Sequence, residues 1–252
     1  METFADAFAN DDMVAVELDD GSEYYVKSGM LVSASDYLAK ILKKRRDKDM
    51  EDRHLRLEDC DNDVFVAFLY WIHHKSLPGL YGPPSHYYLE NTLKEDEKLL
   101  HSHKGQEMLV RLWRFADTCR MKDFKDAIVN SLLDILARWG TTYDMVVYAY
   151  DHAPEGSIIR KMFATQGLYD RFRQPSDRPF WRHEVDETFQ RHSEFAADLV
   201  VAIRDYNGDW TESQSAFMDD FRPGAGILRE REKSAEEGES VENEDSMDHD
   251  QD

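Results

Sequence analysis

Residues Tyr24–Leu42 read YYVKSGMLVSASDYLAKIL, and the chain changes its period inside them. Tyr24, Tyr25 and Val26 are β-favouring residues. From Leu31 onward the apolar residues Leu31, Ala34, Leu38, Ile41 and Leu42 recur at three- and four-residue spacing, which predicts one helix. The spacing reads as a strand feeding directly into a helix. Before it, Val14, Val16 and Leu18 alternate in MVAVEL, another strand signal. Asp19-Asp20-Gly21-Ser22 supplies a turn in which Gly21 can take a positive φ. An N-terminal β-hairpin is therefore expected.

Working outward, LAKILKKRR ends in Lys43-Lys44-Arg45-Arg46. Cations suit the last turn of a helix, so this cluster reads as a solvated helix end. An import-like or phosphate-binding patch is the sharper alternative, and Asp47, Asp49, Glu51 and Asp52 cancel much of its field. His54-Leu55-Arg56-Leu57 alternates as a short strand, and Asp61 is a candidate N-cap for a helix carrying Val64, Phe65, Phe68, Leu69 and Ile72. Residues 77–106 read as an insertion, a Pro- and Gly-rich loop (LPGLYGPPSHYY) with a partly helical second half. Two amphipathic helices then follow across a tight turn at Met121-Lys122-Asp123, carried by Leu112, Phe115 and Cys119 and by Phe124, Ile128 and Leu132. Gly140 can stop the second. Thr141 or Thr142 can cap a helix over Tyr143–Tyr150, and Ser157 one beginning at Ile158. Val185, Phe189, Ala196, Leu199 and Ile203 describe one longer helix.

Charge narrows the function classes. The formal net charge is −21, with nine acids and no Lys or Arg from Ala235 on, and eight acids and no base in the first 26 residues. Phosphate backbones repel such a chain, so no direct nucleic-acid partner is expected. No run of about 18 apolar residues marks a membrane span. METFADAFANDD lacks the basic start and apolar stretch of a secretory signal, so cytoplasm or nucleus is the expected location. Cys60 and Cys119 read as buried small hydrophobes rather than a disulfide or nucleophiles. Residues 223–252 read as a disordered acidic tail. Truncation near Arg229 should leave the thermal midpoint unchanged, and a midpoint several degrees lower would count against that reading.

Chemistry-bearing motifs are few. His73-His74 and His101-x-His103 could be brought together on a metal, but adjacent helical residues face different ways, and solvation is the plainer reading. No phosphate loop, nucleophile elbow or His-Glu-x-x-His is present. The carboxylates run in solvated stretches, so no acid–base pair stands out. No cofactor and no catalytic or metal-binding residue is assigned. Trp71, Trp113 and Trp139 read as core. Tyr81, Tyr87 and Tyr88, beside Pro83 and Pro84, are candidate partner anchors, or they pack the insertion back onto the domain.

The order hairpin, helix, short strand, helix, insertion, helix pair resembles the BTB/POZ fold. Tyr24–Leu42 is similar to the family's signature, with Val26, Leu31, Ser35, Tyr37 and Leu38 in place. Leu55–His73 resembles its strand–turn–helix segment, with Leu57, Asp59, Phe65, Leu69 and Trp71. Leu109–Leu133 resembles the closing helix pair, with Ala116, Asp117, Met121, Phe124 and Asn130. Tyr150–Phe163, with a Pro and then Ser-x-x-Arg, is similar to the region after the domain in many fungal members. The resemblance implies an α+β fold, in which an N-terminal hairpin and short strand pack with a helical bundle. Further helices and the acidic tail follow. The expected division is a BTB/POZ-like domain over 10–138, with its insertion at 77–106, a helical extension over 139–222 and the tail over 223–252.

The resemblance implies a non-enzymatic protein-interaction module. A narrower option is a substrate adaptor on a cullin-type ubiquitin-ligase scaffold, whose contact element would fall on Met50-x-Asp52. Lys27 stands where the family usually has a His, so Asp12 and Lys27 are the candidate pair of the charged pocket. About 12 residues precede the first strand, too few for the extra helix and exchanged strand of the long form. A monomer or weak self-association is expected, not a strand-exchanged homodimer.

Overall fold

The computed structural model describes residues 13–46, 54–77, 95–173 and 191–205. Strand β1 (Met13–Glu17) pairs antiparallel with β2 (Glu23–Lys27), with Val14 opposite Val26 and Val16 opposite Tyr24. The hairpin closes through Leu18 and Ser22, and Gly21 takes φ +81° as the turn requires. Strand β3 (His54–Arg56) joins the other edge of β1 in parallel, giving the order β2-β1-β3. Period-2 alternation puts Val14, Val16, Val26 and Leu55 on the buried face and leaves Tyr25 on the solvent face.

Between β2 and β3 the structure corrects the reading of one helix from Leu31 to Leu42. There are two, α1 (Ser28–Ala34) and α2 (Asp36–Arg46), broken at Ser35, whose backbone is extended. Ser35 is buried, and its Oγ donates to the Cys119 carbonyl at 2.6 Å. The same oxygen accepts from the amides of Tyr37 and Leu38 at 3.1 and 3.2 Å, which caps α2. A break of one residue barely disturbs the apolar spacing, so periodicity alone could not detect it. Ser35→Ala removes both the cap and the tether and should cost about 1–2 kcal/mol in urea unfolding. A neutral result would show that α2 is held by packing alone.

Helix α3 (Asn62–His74) starts at Asp61, whose Oδ1 accepts from the Val64 amide at 3.1 Å, as expected. It buries Phe65, Phe68, Trp71 and Ile72. Helix α4 (Glu95–Thr118) runs unbroken from within the 77–106 stretch into the core, and Gln106 is fully buried. It turns into α5 (Lys122–Trp139) through Cys119–Met121. There Met121 N–H donates to the Ala116 carbonyl and Arg120 N–H to that of Asp117, with Arg120 at φ +54°. This is a Schellman motif with arginine in the left-handed position. Among the described residues three more helices follow, α6 (Tyr143–His152), α7 (Ile158–Arg173) and α8 (Ser193–Asp205).

Gly140 caps α5 as expected. Thr142 holds the N-cap position of α6, but its side chain makes no capping bond: the hydroxyl lies 3.0 Å from His103 Nε2. The Ser157 hydroxyl accepts from the Arg160 amide at 3.4 Å, a long cap. In α8 the buried face is Phe195 and Ala202, with Leu199 half-buried, while Ile203 is exposed. The expected Ala196–Leu199–Ile203 stripe is thus displaced by one position. Where nearly every residue is apolar, as in Leu199-Val200-Val201-Ala202-Ile203, spacing cannot choose the face. The backbone is also non-helical at His192, and Val185 and Phe189 lie outside the described residues.

One hydrophobic core runs from Val14 on β1 to Phe195 on α8. Its centre is an aromatic cluster: Phe68 meets Phe115 edge-on at 5.2 Å and Phe124 at 5.7 Å, and Trp71 lies 4.6 Å from Phe124. Trp113 is buried and Trp139 half-buried.

Candidate interaction surface

The loop from Glu58 to Asp61 carries the chain from β3 to α3, and short polar contacts hold it on both sides. Towards the hairpin, Cys60 N–H donates to Asp19 Oδ2 at 3.2 Å and Asn62 N–H to Asp20 Oδ2 at 3.0 Å. The Asp20 carboxyl is held below its ordinary range, first by the Ser22 amide and then by further hydrogen bonds from Ser22 and Asn62. Tyr24 donates its hydroxyl to the Asn62 side chain. Towards α4, Arg111 pairs with Asp61 and Arg114 with Asp59. Arginines three apart share one helix face, so both reach the same loop. These pairs are partly exposed and contribute at most about 1 kcal/mol each, so they orient the loop more than they stabilise it.

That geometry leaves a cleft of about 390 Å³ between the start of α3 and the middle of α4, lined by Asn62, Asp63, Val66, Lys104, Glu107, Met108 and Arg111. The helical spacing of 62, 63 and 66, and of 104, 107, 108 and 111, turns both sets towards one opening. Val66 is 45% exposed and Tyr70, one turn further along α3, is 39% exposed. A lining that combines the apolar Val66 and Met108 with charges of both signs suits a protein segment.

Sequence reasoning missed this cleft, although a signal was present. Val64–Ile72 is a run of nine consecutive non-polar or aromatic residues on one helix. A helix with one buried face cannot cover such a run, and Val66 and Tyr70 are the surplus.

The expected partner residues Met50, Asp52, Tyr81, Tyr87 and Tyr88 lie outside the described residues. So does Asp12, while Lys27 sits half-buried at the end of β2, opposite Met13. Lys43 and Lys44 are exposed on the last turns of α2. Both cysteines are free and buried, and burial pushes the Cys119 thiol up to about 12 and that of Cys60 higher still. Neither is a thiolate near neutral pH. His73 and His74 are exposed at the end of α3. His103 is half-buried beside Thr142, and burial lowers its pKa. Among the described residues no group of three or more His, Cys, Asp or Glu is placed to hold a metal, and no helix is long and apolar enough to cross a membrane.

Against known families, residues 4–104 match the BTB/POZ domain. This stretch of the chain is similar to a BTB/POZ domain. The match covers the three-stranded sheet, α1 to α3 and the first part of α4. It agrees with the expected fold, a small N-terminal sheet with a helical majority. None of the curated proteins matches the chain. BTB/POZ domains act in general as protein-interaction modules or adaptors, and typically not as enzymes. They bind other proteins and self-associate. The match ends at residue 104, inside α4, whereas the core continues to Phe195.

Proposed function

We propose that this BTB/POZ protein is a non-enzymatic interaction module that receives a segment of a partner protein in the α3–α4 cleft. The observation that carries the reading is the cleft itself, lined by Val66 and Met108 together with Asp63, Lys104, Glu107 and Arg111. The domain type supports a protein as the ligand. The two thiols, kept protonated by burial, support a binding role over nucleophilic chemistry.

The test is binding by the full chain. Partners captured by the wild type are purified and titrated against it and against Val66→Glu. Val66 is exposed, so the variant should keep its thermal midpoint and lose about tenfold or more in affinity. Unchanged affinity for every purified partner, or reproducible turnover in a broad activity screen, would reject the reading.

An adaptor of a cullin-type ubiquitin ligase is a narrower form of the same proposal, supported by the domain type alone. Saturable binding to a purified cullin scaffold would uphold it, and its absence at high micromolar concentration would remove it. A monomer or weakly self-associating chain is proposed on charge, since pairing two copies of net −21 opposes association. Light scattering should give a mass near one chain, and a stable dimer at micromolar concentration would contradict it.

A further inference from the structure

Helix α2 and the α4–α5 corner are joined at Ser35, whose hydroxyl donates to the Cys119 carbonyl. The next residue of that corner, Arg120, lies over the Tyr37 ring at 5.9 Å. Tyr37, Lys40 and Lys44 are three and four positions apart, so they share one face of α2. Arg120 thus heads a row of cations that continues through Lys40 to Lys44, with Lys43 at its margin. All four are exposed. Other cations of the chain hold carboxylates: Arg111 pairs with Asp61, Arg114 with Asp59 and Lys125 with Asp117. Among the described residues Lys40, Lys43, Lys44 and Arg120 hold none, in a chain with 52 acids to 31 bases. Even Asp36, exposed four positions before Lys40, does not pair with it.

We propose that this row is the docking site of the chain's own acidic segment, residues 235–252. Charge comes first: the segment holds nine acids and no Lys or Arg. Residues 47–53, which follow the row directly, hold four acids but also Lys48 and Arg53, and the bases at Arg229, Arg231 and Lys233 already alternate with Glu230 and Glu232. Spacing agrees. Glu242, Glu244, Asp248, Asp250 and Asp252 fall on even positions, and an extended chain turns such positions to one side at intervals of about 6.6 Å. Lys40 and Lys44 stand one helical turn apart, about 6 Å along the axis. Reach suffices: at about 3.3 Å per residue, residues 206–234 can span about 95 Å, against roughly 40 Å across a domain of this size. Exposed ion pairs are individually weak, but attachment to the same chain raises the effective concentration of the acids to the millimolar range. A free acidic ligand then gains the row only by displacing the segment. The row lies on other elements than the α3–α4 cleft, so each can fail without the other.

Two measurements on the full chain test this. A carbodiimide joins a lysine amine to a carboxylate in contact with it, without a spacer. Lys40, Lys43 and Lys44 should be joined to Glu242–Asp252 within single chains, and the yield should fall about tenfold in 1 M salt, where the screening length is about 3 Å. Links from the row to residues 47–52 alone would overturn the proposal, as would links to the segment confined to two-chain products. In the second measurement a labelled peptide of sequence 235–252 is titrated by fluorescence anisotropy. Its target is the full chain carrying Glu242→Gln, Glu244→Gln, Asp248→Asn, Asp250→Asn and Asp252→Asn. The peptide should bind this chain saturably and the wild type about tenfold more weakly, because the wild-type row is occupied. Adding Lys40→Glu and Lys44→Glu, both at exposed positions, should abolish binding at an unchanged thermal midpoint. Equal affinity for wild type and neutralised chain, or no saturable binding by either, would overturn the proposal.

Discussion

Phe68→Ala is expected to lower the free energy of unfolding by about 3–5 kcal/mol. Its ring is fully buried and touches Phe65, Phe115 and Phe124, which come from α3, α4 and α5. Three helices therefore lose contacts at once, and aromatic neighbours relax poorly into the space left behind. Leu38 and Leu112 are also fully buried, and truncating either to Ala should cost about 2–5 kcal/mol. Val32, 42% exposed on α1, serves as the control, with an effect of Val32→Ala within about 0.5 kcal/mol. Chemical denaturation reads all four. Losses below about 1 kcal/mol at all three buried sites would mean that the helices do not share one core.

Gly140→Ala should cost nearly as much, about 3 kcal/mol, although only one methyl group is added. Gly140 has φ +68° and ψ −159°, a region that side-chain-bearing residues essentially avoid. A Cβ there would also lie 2.7 Å from Asp170 Oδ2. That oxygen accepts from the Thr141 amide at 2.8 Å, so moving it aside gives up a hydrogen bond. The two causes separate in a double-mutant cycle. In an Asp170→Ala background the clash is gone and only the backbone cost of about 1–3 kcal/mol should remain. Strict additivity of the two substitutions would show that the clash contributes nothing.

The parts of the fold that were legible in the sequence are those set by local chemistry. The hairpin follows from Val14-x-Val16 and the Asp-Asp-Gly-Ser turn, and the start of α3 from Asp61. The α4–α5 corner was expected as a tight turn, and the structure shows it as one. What local chemistry does not encode is a choice between equivalent faces. Ile203 was expected inward because the spacing Ala196–Leu199–Ile203 is helical, yet Phe195–Leu199–Ala202 is helical as well. The larger Phe195 ring and the Tyr150–Asp198 bond decide the rotation. Ser35 carries a similar lesson. Its role as a break comes from a carbonyl 84 positions away, that of Cys119, which no window of sequence contains. The cleft is a property of two helices together, and only its surplus of apolar residues on α3 was visible in advance.

The central strand of the sheet is the first of the described strands, and this bears on how the protein is made. At roughly 5–20 residues per second, β1 leaves the ribosome together with β2, but its other neighbour begins at His54 and follows some seconds later. Phe195, which closes the far end of the core, is synthesised 130 residues after Phe65 of α3. Until α4 and α5 have left the ribosome, the nascent chain holds Phe68 and Trp71 without Phe115 and Phe124, the rings that cover them. Arrested chains ending shortly after α5 should therefore engage holding chaperones that bind exposed aromatic segments. Chains extended well past residue 205, so that α8 has cleared the exit tunnel, should release them.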